Sequence, residues 1–382
     1  SIDDIFIGGG TWSVWVSGVS ASGDKGTILS KSQPRLRVRD DDGDDITLEF
    51  LHIFSGTNGA WRPPTTALLE NKLNHVAVTY DNTDTANDPK IYINGVEQSL
   101  DYESTPTGSA DTDAGSDFRI GSTNSTTDPF DGFIDEVAVF DKILTEAEVQ
   151  EIFNAGIALD CRDHSAYLGD EEFDDPGFDD PSEWNANTGW TVSGGKASVN
   201  AADSAIRQIL SVTQGKIYDL TFEISDYVEG AFQFGFNQFN IAGTSSNLPN
   251  FNKNGVYNYR VVALGDNINV YMYGVNASEF SIDNLSLREV QLNGYWRNNG
   301  VDTWTDLSPY GNNGTVNGSP TTIQLQEVPY FKKDTFGLPM NKVRERALNL
   351  DGDSYVEIAD DNSINPTDAI TVECWIYWTD AV

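Results

Sequence analysis

The sequence predicts an all-β protein built from tandem antiparallel β-sandwiches. Three observations carry this prediction. Short runs that alternate apolar and polar residues recur between clusters of Gly, Asn, Asp and Pro, aromatic residues are plentiful, and helical spacing occurs near residues 145–155 only. A chain of 382 residues is too long for one ordinary sandwich and suits two to three domains.

The first strands are predicted from alternating runs. They lie at residues 12–16, 36–39, 46–50, 75–80 and 90–93. The pair Asn94-Gly95 favours a two-residue hairpin turn directly after the last of these runs.

The run at residues 134–140 is rich in β-branched and aromatic residues and predicts a further strand. Thr145 precedes Glu148 by three residues, which is the spacing of a capping box, so a helix should begin at Thr145. Val149 and Ile152 then lie on one face, and Gly156 can take the left-handed conformation that ends a helix.

The succession "NHVAVTYD", "KIYINGVE", "FRIGS" and "FDGFIDEVAVFDKILTEAEV" resembles the order of elements in laminin-G-like, concanavalin A-like lectin domains. The resemblance covers most of residues 1–157. It implies a sandwich that binds surfaces or sugars without catalysing a reaction.

Residues 165–290 open with "EEFDDPGFDDPSEW" and close with "SIDNLSL", and this pattern resembles the jelly-roll domains of carbohydrate-binding modules. Related modules hold a structural Ca²⁺ where the opening segment meets the last strand. The resemblance therefore implies a metal site at Asp174 and Asp283. The alternative is that these carboxylates accept backbone hydrogen bonds.

Residues 291–382 resemble the N-terminal part of a second laminin-G-like sandwich, through "GYWRNNGVDTWTDLSPYGNNGTVNGSP" and "RALNLDGDSYVEIADDNSINPTDAITVECWIYW". Residues 371–375 align with residues 11–15, so the first sandwich lacks opening strands that the last segment possesses. Either the chain is an excerpt of a longer array, or a neighbouring copy donates the missing strands.

Sugar contacts are expected where flat rings and planar polar groups share an open sheet face. If Phe232, Phe234 and Phe236 face the core, Gln233 and Asn237 face outward. Further candidates by the same reasoning are Arg260, Tyr271 and Tyr273. Ordinary packing or solvation is the alternative for each of these residues.

The formal charge of -36 repels nucleic acid and anionic membranes, and no run of residues suits membrane insertion. The acidic turn at residues 40–45 lacks the spacing of a helix-loop-helix calcium site and reads as a solvated hairpin tip. Cys161 and Cys374 lie far apart and imply no disulfide framework.

Catalytic residues are not indicated. Asp135 and Glu136 are adjacent in a predicted strand and should point to opposite faces, so they cannot converge on one glycosidic bond. The three histidines have no metal-ligand spacing.

These observations favour a non-enzymatic adhesion module that binds glycans or a host cell-surface polysaccharide. It would work outside the cell or on a virion surface, as part of a phage fibre, a capsid-attached protein or a secreted adhesin. A purely structural fibre or assembly protein, with the sandwiches as spacers, is the first alternative, and an accessory binding region of a secreted glycoside hydrolase is the second. Further copies or domains of the same array are expected as partners.

Overall fold

The computed structural model describes residues 2–17, 26–32, 34–40, 46–64, 68, 72–123, 128–297, 303–323, 347–351 and 355–358. Residues 41–45 of the acidic turn, Cys374 and the sequence repeat at 363–375 lie outside these residues. The chain divides into unit 1, which comprises Ser1–Tyr167 and Gln291–Val382, and unit 2, which comprises Leu168–Val290.

Alternating segments of the first 140 residues form the strands that begin unit 1. These are β1 Gly10–Ser17, β2 Gly26–Ser30, β3 Arg35–Asp40, β4 Ile46–His52, β5 Gly59–Arg62, β6 Asn74–Tyr80, β7 Lys90–Ile93, β8 Val96–Glu97, β9 Tyr102–Ser104, β10 Phe118–Ile120 and β11 Asp131–Phe140. They are followed by helix α1, Glu146–Phe153, and by short 3₁₀ turns at Asn154–Gly156, Cys161–Asp163 and Ser165–Tyr167.

Unit 2 contains longer strands and one 3₁₀ turn at Pro181–Glu183. Its strands are β12 Leu168–Glu171, β13 Asn185–Ala186, β14 Trp190–Ser193, β15 Lys196–Ile209, β16 Ile217–Phe234, β17 Phe239–Ile241, β18 Gly255–Ala263 and β19 Asn269–Val290. The chain then returns to unit 1 with β20 Leu292–Trp296, β21 Thr303–Trp304, β22 Gly314–Asn317, β23 Thr321–Ile323, β24 Ala347–Asp351 and β25 Tyr355–Ile358.

Two antiparallel sheets form unit 1. One has the order β23-β24-β11-β1-β6-β7-β8, with β20 also paired to β11, and the other has the order β21-β22-β25-β10-β2-β3-β4-β5-β9. Aromatic side chains fill the space between them. Trp12 lies 6.0 Å from Phe50 and 5.8 Å from Phe118, between ring centroids. The all-β prediction is confirmed.

The structure places the strands from β20 onward differently from the sequence-based division into three domains. That division makes them the start of a second sandwich, whereas in the structure β20 and β24 pair with β11, and β25 pairs with β10. Backbone pairing has no local sequence signature, so strands that resemble the beginning of a sandwich can close whichever sheet edge accepts them.

Helix α1 begins where the capping box predicts. The Thr145 hydroxyl accepts from the Glu148 backbone N–H, and the Glu148 carboxylate accepts from the Thr145 N–H at 2.7 Å. The helix ends earlier than expected, because Asn154 already takes the left-handed conformation, with φ of 43°, two residues before Gly156, which has φ of 93°. Phe153 then stacks on Trp15 at 5.7 Å, so the helix covers the outer side of β1.

In unit 2 the strands β15, β16 and β19 are long enough to pass through both halves of a sandwich. Phe222, early in β16, lies 5.0 Å from Phe232, late in the same strand, so the two halves pack face to face. Gly230 lies between them with φ of 84°, and a Cβ there would meet Ser278 at 2.3 Å. The bend therefore requires glycine.

Candidate functional site

Three of the five predicted sugar contacts meet on one outer face of unit 2. Tyr271 and Tyr273 lie two residues apart on β19 and project to the same side, and Gln233 of β16 pairs directly with Tyr273. The inward neighbours Met272 and Phe234 are buried, so the three predicted contacts face outward, as the alternation of a strand requires.

The two tyrosine rings are stacked and nearly parallel. Their centroids are 5.6 Å apart and their planes differ by 16°. Arg207, on the neighbouring strand β15, places its guanidinium 5.3 Å from the Tyr271 ring centroid and donates to the Tyr271 hydroxyl at 3.3 Å. This contact fixes the orientation of the Tyr271 ring.

Amide groups continue this surface on its other side. The Gln233 side chain donates to Asn250 Oδ1 at 2.8 Å. Both amides therefore have a defined orientation and retain hydrogen-bonding groups for a ligand. We name the set Arg207, Gln233, Asn250, Tyr271 and Tyr273 the tyrosine strip.

A cavity of about 640 Å³ adjoins the strip at Arg207. Trp184, Glu183 and Asn269 also line it, and Asn269 precedes Tyr271 by two residues on the same face of β19. Cavities of 300–1,000 Å³ are typical of small-ligand sites. The strip and the cavity thus form one continuous surface of flat rings, amides, a guanidinium and carboxylates.

Two predicted contacts lie elsewhere. Arg260 forms an ion pair with Asp219 at 2.8 Å, and both project outward from the early half of β16 and its neighbour β18. That half forms the opposite layer of the sandwich from Gln233. Asn237 lies in the turn after β16, with φ of 59°, and accepts from Asn247 at 3.1 Å.

The turn also explains why Phe236 is not in the core. Strand β16 ends at Phe234, and Gly235 takes φ of 49°, so the alternation that buries Phe232 and Phe234 stops before Phe236. Phe236 is 51% exposed. The condition that all three rings face the core therefore holds for Phe232 and Phe234 but not for Phe236.

Sequence reasoning missed Arg207, Asn250 and Asn269. Arg207 carries a usable signal, because it alternates with buried Ile206 in β15. Asn250 belongs to an irregular segment, and its approach to Gln233 depends on long-range folding alone.

The predicted metal ligands have other partners in the structure. Asp174 lines the cavity and donates its backbone N–H to Gln208 at 3.1 Å. Asp283 faces Glu223 across the β16–β19 ladder and accepts from the Asn284 N–H at 2.7 Å. Over the described ranges no group of three or more His, Cys, Asp or Glu is placed to hold a metal, and the calcium site stays a prediction.

Asp175, next to Asp174, organises the opening loop of unit 2. Its carboxylate accepts from the backbone N–H groups of Asp179 at 2.9 Å and Asp180 at 3.0 Å, and from the Trp184 indole at 3.0 Å. These bonds hold Trp184 against the core and against the wall of the cavity.

The acidic pair of unit 1 is buried. Asp135 accepts from the Glu136 N–H at 2.7 Å, and Glu136 contacts Tyr295 and Arg297. A bulge changes the register of β1 and β11 here, and Glu136 has φ of 51°, so the simple alternation expected for this pair does not hold. Both side chains are almost fully shielded from solvent and offer no open face to a substrate.

No helix in the described part of the chain is long and apolar enough to cross a membrane.

Two comparisons with known proteins found similarities. A solved structure described as "CBM4 structure and function" is similar at 13% identity and a TM-score of 0.24, over 31% of this chain and 99% of that chain. No curated protein matches the chain. Residues 5–150 match the family model described as the concanavalin A-like lectin/glucanases superfamily, which confirms the lectin-like resemblance predicted for residues 1–157.

Proposed function

We propose that the protein is a non-enzymatic adhesion protein that binds glycans, and that the tyrosine strip of unit 2 is its main glycan contact. The observation that carries this proposal is the pair of nearly parallel rings, 5.6 Å apart, flanked by oriented amide and guanidinium groups. Sugar rings bind by packing their C–H faces on such rings while planar polar groups bond their hydroxyls.

The negative charge of the chain limits which glycans it is expected to bind. The chain carries a formal charge of -36, and Glu183 and Asp174 line the adjoining cavity. A polyanionic polysaccharide would be repelled at long range. Neutral or amino-substituted glycans are therefore the expected ligands.

The proposal places the protein outside the cell or on a virion surface, where polysaccharides of a host or neighbour are accessible. The lectin-like match of residues 5–150 supports this class of role. Several weak glycan sites on one array would bind more tightly together than singly, because tethering raises the effective concentration of each further site.

The direct test is a glycan array probed with the intact chain. Binding to one or a few neutral or amino-substituted glycans is expected, and the double variant Tyr271→Ala/Tyr273→Ala should lose it. If the intact chain binds no glycan, or the double variant binds as the wild type does, the proposal is overturned. An intact chain that binds no glycan on the array would favour the structural fibre role.

A further inference from the structure

A buried amine and two buried carboxyl groups meet in unit 1, where the first residues of the chain reach the end of β2. Lys31 directly follows β2 and is 1% exposed, and Asp3 and Asp113 are also buried. The Lys31 amine contacts the Asp3 carboxyl group and lies 3.3 Å from Asp113 Oδ1. Lysine and aspartate side chains are seldom buried this completely, so the group calls for an explanation.

The backbone holds these side chains together. Ile2 and Phe6, on either side of Asp3 in the sequence, are buried in the core of unit 1. The Asp4 N–H donates to Asp113 Oδ1 at 2.5 Å, and the Asp113 N–H donates to Asp4 Oδ1 at 2.8 Å. The segment that carries Asp3 is therefore fixed beside Asp113 by contacts other than the charge of Asp3 itself.

Two backbone carbonyls orient the Lys31 nitrogen. Nζ donates to the carbonyl oxygen of Asp113 at 3.1 Å and to that of Ser116 at 2.9 Å. A neutral amine has two hydrogens, and these two acceptors can hold both of them. The lone pair of the nitrogen is then available to the carboxyl carbon of Asp3.

Burial favours the reactive protonation states. Removal from water penalises the charged forms of both Lys31 and Asp3, and transfer of one proton from the ammonium to the carboxylate makes both groups neutral. The products are an amine, which is a nucleophile, and a carboxylic acid, which can lose its hydroxyl group. Burial also raises the pKa of Asp113 to about 7, so this carboxyl group can both accept and donate a proton near neutral pH.

We propose that Lys31 and Asp3 join through an intramolecular amide bond, and that Asp113 moves the protons in this reaction. Lys31 Nζ attacks Asp3 Cγ and forms the C–N bond. Asp113 accepts a proton from the nitrogen and delivers one to the hydroxyl group of Asp3, the C–O bond breaks, and one water leaves. An amine and an acid give an amide and water, so the step balances without an oxidant or reductant. Holding the two reactants in contact removes most of the entropic barrier.

The bond would tie the first residues of unit 1 covalently to the end of β2. It joins two residues that are 28 positions apart, and such a crosslink stabilises a fold by restricting the unfolded chain. It acts on unit 1 whatever unit 2 binds. The inference therefore goes beyond the proposed glycan binding and does not depend on it.

Mass spectrometry of the denatured full chain tests the bond. The intact protein should weigh about 18 Da less than its sequence requires, which is the mass of one water. Trypsin should not cut after an acylated Lys31, so the peptide that ends at Lys25 should be recovered joined to residues 26–35. Fragmentation should place the link on Asp3 and Lys31. Conversion of another aspartate to a succinimide loses the same mass but gives no branched peptide.

Variants that remove one reactant are the controls. Lys31→Met and Asp3→Ala should each weigh what their sequences require. Asp113→Asn keeps the size of the side chain but removes the proton carrier, so the folded variant should contain several-fold less branched peptide. Asp101→Asn, at an exposed position of unit 1, should match the wild type.

The wild-type result decides the bond whether or not the Asp113 variant folds. A wild-type mass equal to that of the sequence, with normal cleavage after Lys31, would overturn the proposal and leave a buried ion pair. A link between any other two residues would overturn it as well. As much branched peptide in folded Asp113→Asn as in the wild type would overturn the role of Asp113.

Discussion

The Tyr295 hydroxyl donates a hydrogen bond to the carboxylate of Glu136 across a sequence separation of 159 residues. Glu136 occupies a bulge of β11, and Tyr295 lies on the paired strand β20. In the sequence, all of unit 2 lies between these two strands. The bond joins the two sequence segments of unit 1 inside its core, so it contributes to the stability of the completed sandwich rather than to catalysis.

Replacing Tyr295 with phenylalanine should lower the free energy of unfolding of unit 1 by about 1–3 kcal/mol, because the buried Glu136 carboxylate loses a donor. Denaturant unfolding followed by tryptophan fluorescence would measure this. Tyr102→Phe, at an exposed tyrosine of the same unit, is the matched control. Equal stability of both variants would contradict the assignment.

A double-mutant cycle sharpens that prediction. Combining Tyr295→Phe with Glu136→Gln should cost less than the sum of the two single changes, since both remove one interaction. Strict additivity would show that the two side chains are energetically independent.

Replacing Asp175 with alanine should destabilise unit 2, because two backbone N–H groups and the Trp184 indole lose their acceptor at once. A loss of about 1–3 kcal/mol is expected from these unsatisfied groups. Calorimetry of the full chain would detect a lower transition for unit 2. Asp174→Asn, one residue earlier, leaves this network intact and should have a smaller effect in the absence of calcium.

Calcium is a separate prediction. If Asp174 and Asp283 hold an ion in the folded state, chelation should lower the melting temperature of unit 2, and calcium should restore it. Asp283→Asn should abolish the response. An unchanged melting curve of the wild type through chelation and re-addition would remove the site.

Lowering the pH should reduce the stability of unit 1, because its histidines bind protons more readily in the unfolded chain. Burial lowers the pKa of His75 to about 3 and that of His52 to about 4, against about 6.5 when unfolded. The unfolded chain therefore binds protons first, and the stability present above about pH 6.5 is lost as pH falls toward these folded values. All three histidines lie in residues 1–167, so unit 2 lacks this effect.

The measurement is unfolding free energy against pH for wild type and His75→Gln. Burial raises the pKa of Asp113 to about 7, which acts in the opposite direction in both proteins, so the difference between them isolates His75. Between about pH 6 and pH 4, the unfolding free energy of the wild type should fall more steeply than that of the variant, by up to about 1.4 kcal/mol per pH unit. Parallel curves would refute a neutral, buried His75.

Local chemistry made much of the fold predictable. Asn94 and Gly95 both take positive φ, at 52° and 76°, as the hairpin turn between β7 and β8 requires. Thr145 and Glu148 likewise fixed the start of α1 through a motif of four residues. In each case the interacting groups are close in sequence.

The pairing of β11 with β20 and β24 was beyond sequence reasoning, because every strand edge offers the same backbone groups. The bulge at Glu136 depends on the register of two strands rather than on a local motif. In the candidate site, alternation predicted that Gln233 faces outward and that Tyr271 and Tyr273 share a face. The pairing of Gln233 with Tyr273 across two strands has no local sequence signature. Arg260 also projects outward, but it lies on the other layer, because β16 bends at Gly230 and contributes to two opposite layers.

Titration calorimetry of the full chain with a glycan that the array identifies would measure directly how tightly the tyrosine strip binds sugar. Tyr271→Ala/Tyr273→Ala should weaken binding by about 1–3 kcal/mol, roughly fivefold to 150-fold, from the loss of two stacking rings. Arg260→Ala, on the opposite layer, should bind as the wild type does. Loss of binding in the Arg260 variant with retention in the tyrosine variant would contradict the account.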